Sequence, residues 1–256
     1  MAIDLTLAEY ENIHPVLVIG EDENKVRYCT PNQMAAWRVQ TFFTKEPETV
    51  AWIEGFSADE VLVDVGANVG MYTIWAAKTA GARVFSFEPE SQNYALLNRN
   101  IVLNRLSSRV VAYCAALSDE TAFDVLNLSR FDIGQSCHAF GEAVNFRLEP
   151  HQFALTQGAF ATQLDELVQS QTVPTPNHIK IDVDGIEHKV IAGAKTTLEN
   201  PVVKSILVEI NQNLAEHVGA VTFLKDIGFT YSIAQVTEAE RLDGVFKGVA
   251  NYVFRR

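Results

Sequence analysis

The stretch Val61-Leu-Val-Asp-Val-Gly-Ala-Asn-Val-Gly-Met71 restricts the fold more than any other part of this chain. Apolar residues surround Asp64, a glycine-rich turn follows, and a helical pattern begins near Gly70. That order predicts a strand, a tight loop and a helix. Glycines let the backbone turn sharply and approach a ligand, and the helix start offers unpaired N–H groups. The spacing argues against a dinucleotide site, where G-x-G-x-x-G supplies a third glycine for close packing. Here Gly66, Asn68 and Gly70 read G-x-N-x-G. Asn68 stands in for a glycine because asparagine tolerates positive φ.

Asp64, two residues before the first glycine, suits a ligand with an ammonium group better than a pyrophosphate. S-adenosylmethionine (SAM) is such a ligand. The plain alternative is an ordinary strand–turn–helix of an α/β protein. From Val61 onward, strand and helix patterns alternate, which predicts a parallel sheet covered on both faces. A helix is expected from Gly70 to Gly81, a second strand over Arg83–Glu88, and a helix from Ser91 to Asn104. A third strand follows at Val110–Cys114, a fourth at His178–Asp182 and a fifth at Ser205–Glu209. One continuous helix is expected after the fourth, with Ile186, Val190, Ile191, Ala194 and Leu198 on one face. Leu214–Ile227 reads as a helix, and Phe229–Ala234 and Asn251–Arg255 as a closing antiparallel pair. Residues 120–178 form an insertion between strands three and four, with Phe123–Leu128 and Gly158–Gln163 as paired strands. Such insertions often carry specificity.

Ahead of the alternation, residues 1–58 read as an N-terminal extension and 59–256 as the main domain. The extension has a hairpin, Val16–Ile19 with Val26–Cys29, and helices over Gln33–Thr41 and Pro47–Gly55. It is expected to cap the ligand or to make the contact of a homodimer. The 256 residues suffice for one well-buried core, and a net charge of −12 disfavours nucleic acid and anionic membrane as partners. No apolar run reaches a membrane-spanning length, and Met1–Thr6 lacks the basic and apolar parts of a leader. Cys29, Cys114 and Cys137 are odd in number and far apart, as expected of free thiols in a reducing cytoplasm.

Candidate site residues follow from the strand ends. Glu88, ending the second strand 24 residues after Asp64, is placed to accept both hydrogens of a ribose diol, with Pro89 beside it. Ala115–Leu117 would let an adenine lie flat, with Ser118 or Asp119 near its amine, although a plain polar turn explains Ser-Asp equally well. Asp182 ends a central strand beside the first, at a switch point where ligands bind. Lys180 shares its face, which allows an ion pair. Asp182, Asp184, Glu187 and His188 could hold a hard cation. Acids in a first helical turn equally complement the helix dipole, and no metal site is assigned.

Glu46-Pro-Glu-Thr49, Val63–Gly70, Phe87-Glu-Pro89, Ala116–Asp119, Thr162–Asp165, Ile179-Lys-Ile-Asp-Val-Asp-Gly-Ile-Glu187 and Val208-Glu209 together resemble the FkbM family of SAM-dependent methyltransferases. The Lys-Ile-Asp-Val-Asp-Gly-x-Glu element is the most distinctive, with Asp184 where members often carry Glu. The resemblance implies a class I, Rossmann-like, doubly wound α/β fold: a mostly parallel seven-stranded sheet with one antiparallel strand. It also implies methyl transfer from SAM, commonly to an oxygen of a sugar, polyketide or glycolipid, so a small-molecule or carbohydrate acceptor is expected. Asp64, Gly66, Ala67, Asn68 and Gly70 would then cradle the methionine end, while Glu88, Pro89, Ser118, Asp119 and Asp182 complete the cofactor site. Asp182, His188 and Glu209 are the candidate bases, His188 for its intrinsic pKa. Two alternatives stand beside this reading: an NAD-type oxidoreductase and a non-catalytic protein that keeps the fold.

Overall fold

The computed structural model describes residues 5–256; the leader reading at Met1–Thr6 falls largely outside them. A short helix α1 (Leu7–Glu11) precedes the hairpin of β1 (Val16–Ile19) and β2 (Val26–Cys29). Then come α2 (Gln33–Gln40), α3 (Phe42–Lys45) and α4 (Pro47–Glu54), the last opening with proline at its first turn. The alternation proceeds through β3 (Val61–Val65), α5 (Met71–Thr79), β4 (Arg83–Phe87), α6 (Ser91–Leu103) and β5 (Val110–Tyr113). The insertion contains β6 (Ala116–Leu117), β7 (Ala122–Leu128), β8 (Ala139–Phe140), β9 (Leu155–Thr162) and α7 (Leu164–Gln169). The last part holds β10 (His178–Ile181), α8 (Glu187–Ala192), α9 (Lys195–Glu199), β11 (Ser205–Asn211), α10 (Ala215–Asp226), β12 (Thr230–Tyr231), α11 (Ile233–Ala239) and β13 (Val249–Arg255).

Seven strands form the main sheet in the order β12-β13-β11-β10-β3-β4-β5. The β3, β4, β5, β10 and β11 pairings are parallel, and β13 runs antiparallel to both β11 and β12. The chain leaves β3 toward β4 on one side while β10 sits on the other. The switch point therefore lies between the carboxyl ends of β3 and β10. Strand β3 is buried along its whole length, and α5 buries Met71, Thr73, Ile74, Trp75, Ala76 and Ala77, so both read as apolar almost all round. The N-terminal segment shares this core: Tyr28, Val39, Phe42, Trp52 and Ile53 pack in one cluster with Ile74, Trp75 and Val253.

Three local expectations change. The helix after β10 is broken into α8 and α9 at Gly193, whose carbonyl accepts from Asp165 N at 3.0 Å instead of continuing the helix; the residue is glycine because a Cβ would overlap the Ser118 carbonyl oxygen. The second piece is instead capped by Asp165, which accepts from Thr196 N at 2.9 Å and Thr197 N at 2.7 Å. The strand expected over Phe229–Ala234 shrinks to Thr230–Tyr231, since Ser232 accepts from Gln235 N and starts α11. Ala116–Leu117, expected as an open loop, pairs in parallel with Ala161–Thr162 and joins a second sheet of order β6-β9-β7-β8. Among the described residues, no helix is long and apolar enough to cross a membrane.

Candidate active site

A cavity of about 410 Å³ opens at the carboxyl ends of β3, β4, β10 and β11. Gly66 and Asn68 form one wall. Gly66 has φ +78°, and Asn68 takes φ +51°, the left-handed position expected of it. Gly66 N and Ala67 N both donate to Phe87 O at 3.0 Å, which pins the loop to β4. A Cβ on Gly66 would overlap the backbone oxygen of Asp182 and come within 2.9 Å of its carbonyl carbon. Glycine is therefore required by the closeness of the two strand ends.

Glu88 and Pro89 line the same cavity. The Glu88 carboxylate accepts from Asn68 N at 2.7 Å and from Glu90 N at 2.9 Å. Burial pushes its pKa up to about 7, against those two hydrogen bonds. Glu90 caps α6, accepting from Gln92 N and Asn93 N. Asn68 Nδ2 and Asn93 Nδ2 donate to Gln135 O at 2.7 and 3.1 Å, so the insertion segment Gly134–His138 is fastened across the glycine loop.

The element around Asp182 is held by several identifiable contacts. Lys180 is 1% exposed and pairs with Asp182 at 2.8 Å, the ion pair that their shared face allows. Burial works against the Asp182 carboxylate, but the Lys180 charge wins and holds it down at about 2. Asp184, at φ +61°, accepts from Cys137 N at 2.6 Å. Glu187 folds back to accept from Val183 N at 3.0 Å and Gly185 N at 3.0 Å. His217 braces the loop from α10: its Nδ1 accepts from Asn211 N at 3.1 Å, and its Nε2 lies 2.9 Å from Gly185 O. Glu209, at the end of β11, also lines the cavity and pairs with Arg241 at 2.7 Å. Burial and the neighbouring Asp182 charge push the Glu209 pKa well up.

Of the residues singled out in the sequence, Gly66, Asn68, Glu88, Pro89, Asp182, Asp184 and Glu209 meet at this cavity. Ala67 lines a smaller cavity of about 50 Å³ next to it. The others stand elsewhere. Asp64 lies opposite Lys180 in the register and is 1% exposed; its Oδ2 accepts from Thr73 Oγ1 at 2.5 Å, tying β3 to α5. Gly70 caps α5 at φ +84° against Leu97. Ser118 and Asp119 bond to one another at 3.0 Å away from the cavity, which Ala116 and Leu117 line instead. His188 turns toward His217, with ring centroids 5.8 Å apart. Asp184 and Glu187 spend their oxygens on backbone N–H groups, so the four residues of the candidate cation cluster do not converge. Sequence reasoning missed Met34, Trp37, Arg38 and Lys45 from the N-terminal segment, and Arg241 and Phe246 from the segment before β13; all line the cavity.

A seven-stranded sheet of this order, its last strand inserted antiparallel and a glycine loop at the switch point, is the class I methyltransferase fold. The chain belongs to the methyltransferase FkbM domain family, whose profile matches residues 64–231. It is 27% identical over 195 residues to the hexuronic acid methyltransferase AglP of Haloferax volcanii, covering 72% of this chain and 70% of that one. It is 25% identical over 192 residues to the 31-O-demethyl-FK506 methyltransferase FkbM of Streptomyces tacrolimicus, covering 67% and 73%. Among solved structures, precorrin-6y C5,15-methyltransferase of Geobacter metallireducens matches at 15% identity and a TM-score of 0.47, covering 82% of this chain and 86% of that one. The chain is thus a SAM-dependent methyltransferase, which sets aside the oxidoreductase and non-catalytic alternatives. The cavity beside the Gly66 loop and the buried carboxyl of Glu88 on its wall fit that cofactor.

Proposed function

We propose that this enzyme methylates a hydroxyl oxygen of a sugar, glycolipid or secondary metabolite. The observation that carries this reading is the pair of carboxylates, Asp182 and Glu209, on one cavity wall at the ends of adjacent strands, beside the glycine loop. SAM supplies an electrophilic methyl on a sulfonium, so the protein's task is to align the acceptor oxygen and receive its proton. Asp182, held ionised by Lys180, is a weak base and serves to orient the hydroxyl. Glu209 is the stronger base, because burial and the Asp182 charge raise its pKa well above the ordinary carboxylate value. The names of the two relatives support a hydroxyl-rich acceptor, one a hexuronic acid and the other a 31-O-demethyl compound. Incubation with SAM and a panel of sugars, uronic acids and polyketides, followed by mass spectrometry of the products, tests the proposal. A methyl ether on one acceptor class is expected. A methyl ester alone would place the transfer on a carboxylate, which needs no base.

In the same reading, the Gly66 loop borders the methionine end and Glu88 receives the ribose diol. Glu88 binds the diol as the carboxylate, and its pKa is about 7. Affinity for S-adenosylhomocysteine should therefore fall as pH drops through 7, by about tenfold between pH 8 and pH 6 for one linked proton. Calorimetric titration at the two pH values checks this, and Glu88→Gln should flatten the dependence.

A further inference from the structure

The smaller cavity of about 50 Å³ lies between the N-terminal segment and the glycine loop, bounded by Arg38, Lys45, Glu46, Ala67, Tyr72 and Asp182. Most of its charges are already matched. Lys180 holds Asp182, and Glu46 accepts from Lys45 at 2.5 Å and from Tyr72 Oη at 2.8 Å. Arg38 is different. It lines both this cavity and the main one, and is half-buried. Its Nε donates to Gly134 O at 2.7 Å, which fixes the plane of the guanidinium. Among the described residues it pairs with no carboxylate, and its terminal nitrogens donate to no protein acceptor. A partly desolvated guanidinium with a free fork is a receptor for a planar anion. The space beside it is too small for an acceptor molecule and adjoins the loop at Ala67.

We propose that Arg38 binds the α-carboxylate of the methionyl part of SAM, with Lys45, whose charge Glu46 already matches, bordering the same space. This rests on the placement of SAM's methionine end beside the Gly66 loop. Both cations precede residue 64, where the match to the family begins, so the N-terminal segment completes the cofactor site from outside the matched region.

Two nucleosides separate this role from a structural one. S-adenosylhomocysteine carries the α-carboxylate, and 5′-deoxy-5′-methylthioadenosine lacks the amino-acid group. The full chain and its Arg38→Met variant, which keeps the apolar stem, are titrated with each by calorimetry. The Kd for S-adenosylhomocysteine should rise about 10–100-fold in the variant, as for loss of a charge-assisted pair, while that for methylthioadenosine stays within about twofold. Arg38→Lys, which keeps the charge and loses the fork, should fall between. Equal weakening of both ligands would mean that Arg38 acts only through Gly134 and overturns the proposal, as would unchanged affinity for S-adenosylhomocysteine. Wild-type protein that binds neither nucleoside would overturn the cofactor reading itself, and the role of Arg38 with it.

Discussion

Replacing Gly66 with valine should abolish measurable S-adenosylhomocysteine binding, with Kd raised at least about 100-fold, on the steric ground that follows. Three constraints act on the same atom. The residue sits at φ +78°, where a β-branched side chain is strained. Its Cβ would collide with the Asp182 carbonyl. The loop cannot retreat, because Gly66 N and Ala67 N are both held by Phe87 O. The carboxyl ends of β3 and β10 must then part, which distorts the glycine loop and shifts Asp182 together. Backbone strain and overpacking together cost about 2–4 kcal/mol, enough to lower the melting temperature by on the order of 10 °C without unfolding a domain of this size. Calorimetry and thermal melting, run on one preparation, separate the two effects. A variant that melts lower yet binds with full affinity would place the cofactor away from this loop.

Glu209→Gln should lower kcat by about 10²–10⁴, the range for loss of a positioned general base. The amide keeps the shape of the side chain and can still meet Arg241, but it cannot take a proton. Affinity for S-adenosylhomocysteine should change little, since Gly66, Asn68 and Glu88 are untouched. The pH profile gives the stricter reading. Glu209 must be ionised to accept the acceptor's proton, so wild-type turnover should rise with pH through its elevated pKa and level off above it. The residual activity of the variant should lack that rise. If Glu209→Gln turned over at the wild-type rate, the proton would leave by another route, and Asp182→Asn would be the variant to measure next.

Much of this architecture is legible in the sequence, because the signals are local. Apolar runs ending in Asp182, Glu209 and Phe87-Glu88 marked buried parallel strands, and the positive-φ demand at Gly66 and Asn68 marked the loop between them. What escaped was set by tertiary approach. Gly193 looks like a tolerable helical residue until the Ser118 carbonyl is placed against it. The register sets Asp64 opposite Lys180, and Thr73 takes one of its carboxylate oxygens, a neighbourhood that the strand pattern alone does not name. Arg38, Lys45, Arg241 and Phe246 belong to no motif; they reach the cavity only because both flanking segments fold back over the strand ends. Arg241 and Phe246 carried no signal at all. Lys45 stood next to Glu46 of the Glu-Pro-Glu-Thr element, which was the one available hint.

The place of β13 has a consequence for how the chain is made. Residues 249–255 slot between β11 and β12, and Asn251 Nδ2 donates to Glu48 of α4 at 2.7 Å across 203 positions of sequence. Val253 packs into the same cluster as Trp52 and Ile53. While the ribosome is still elongating, β11 offers a bare edge and α4 lacks part of its seat. A parallel sheet assembled without β13 would carry one open flank, an edge able to pair with other chains until the closing strand is in place.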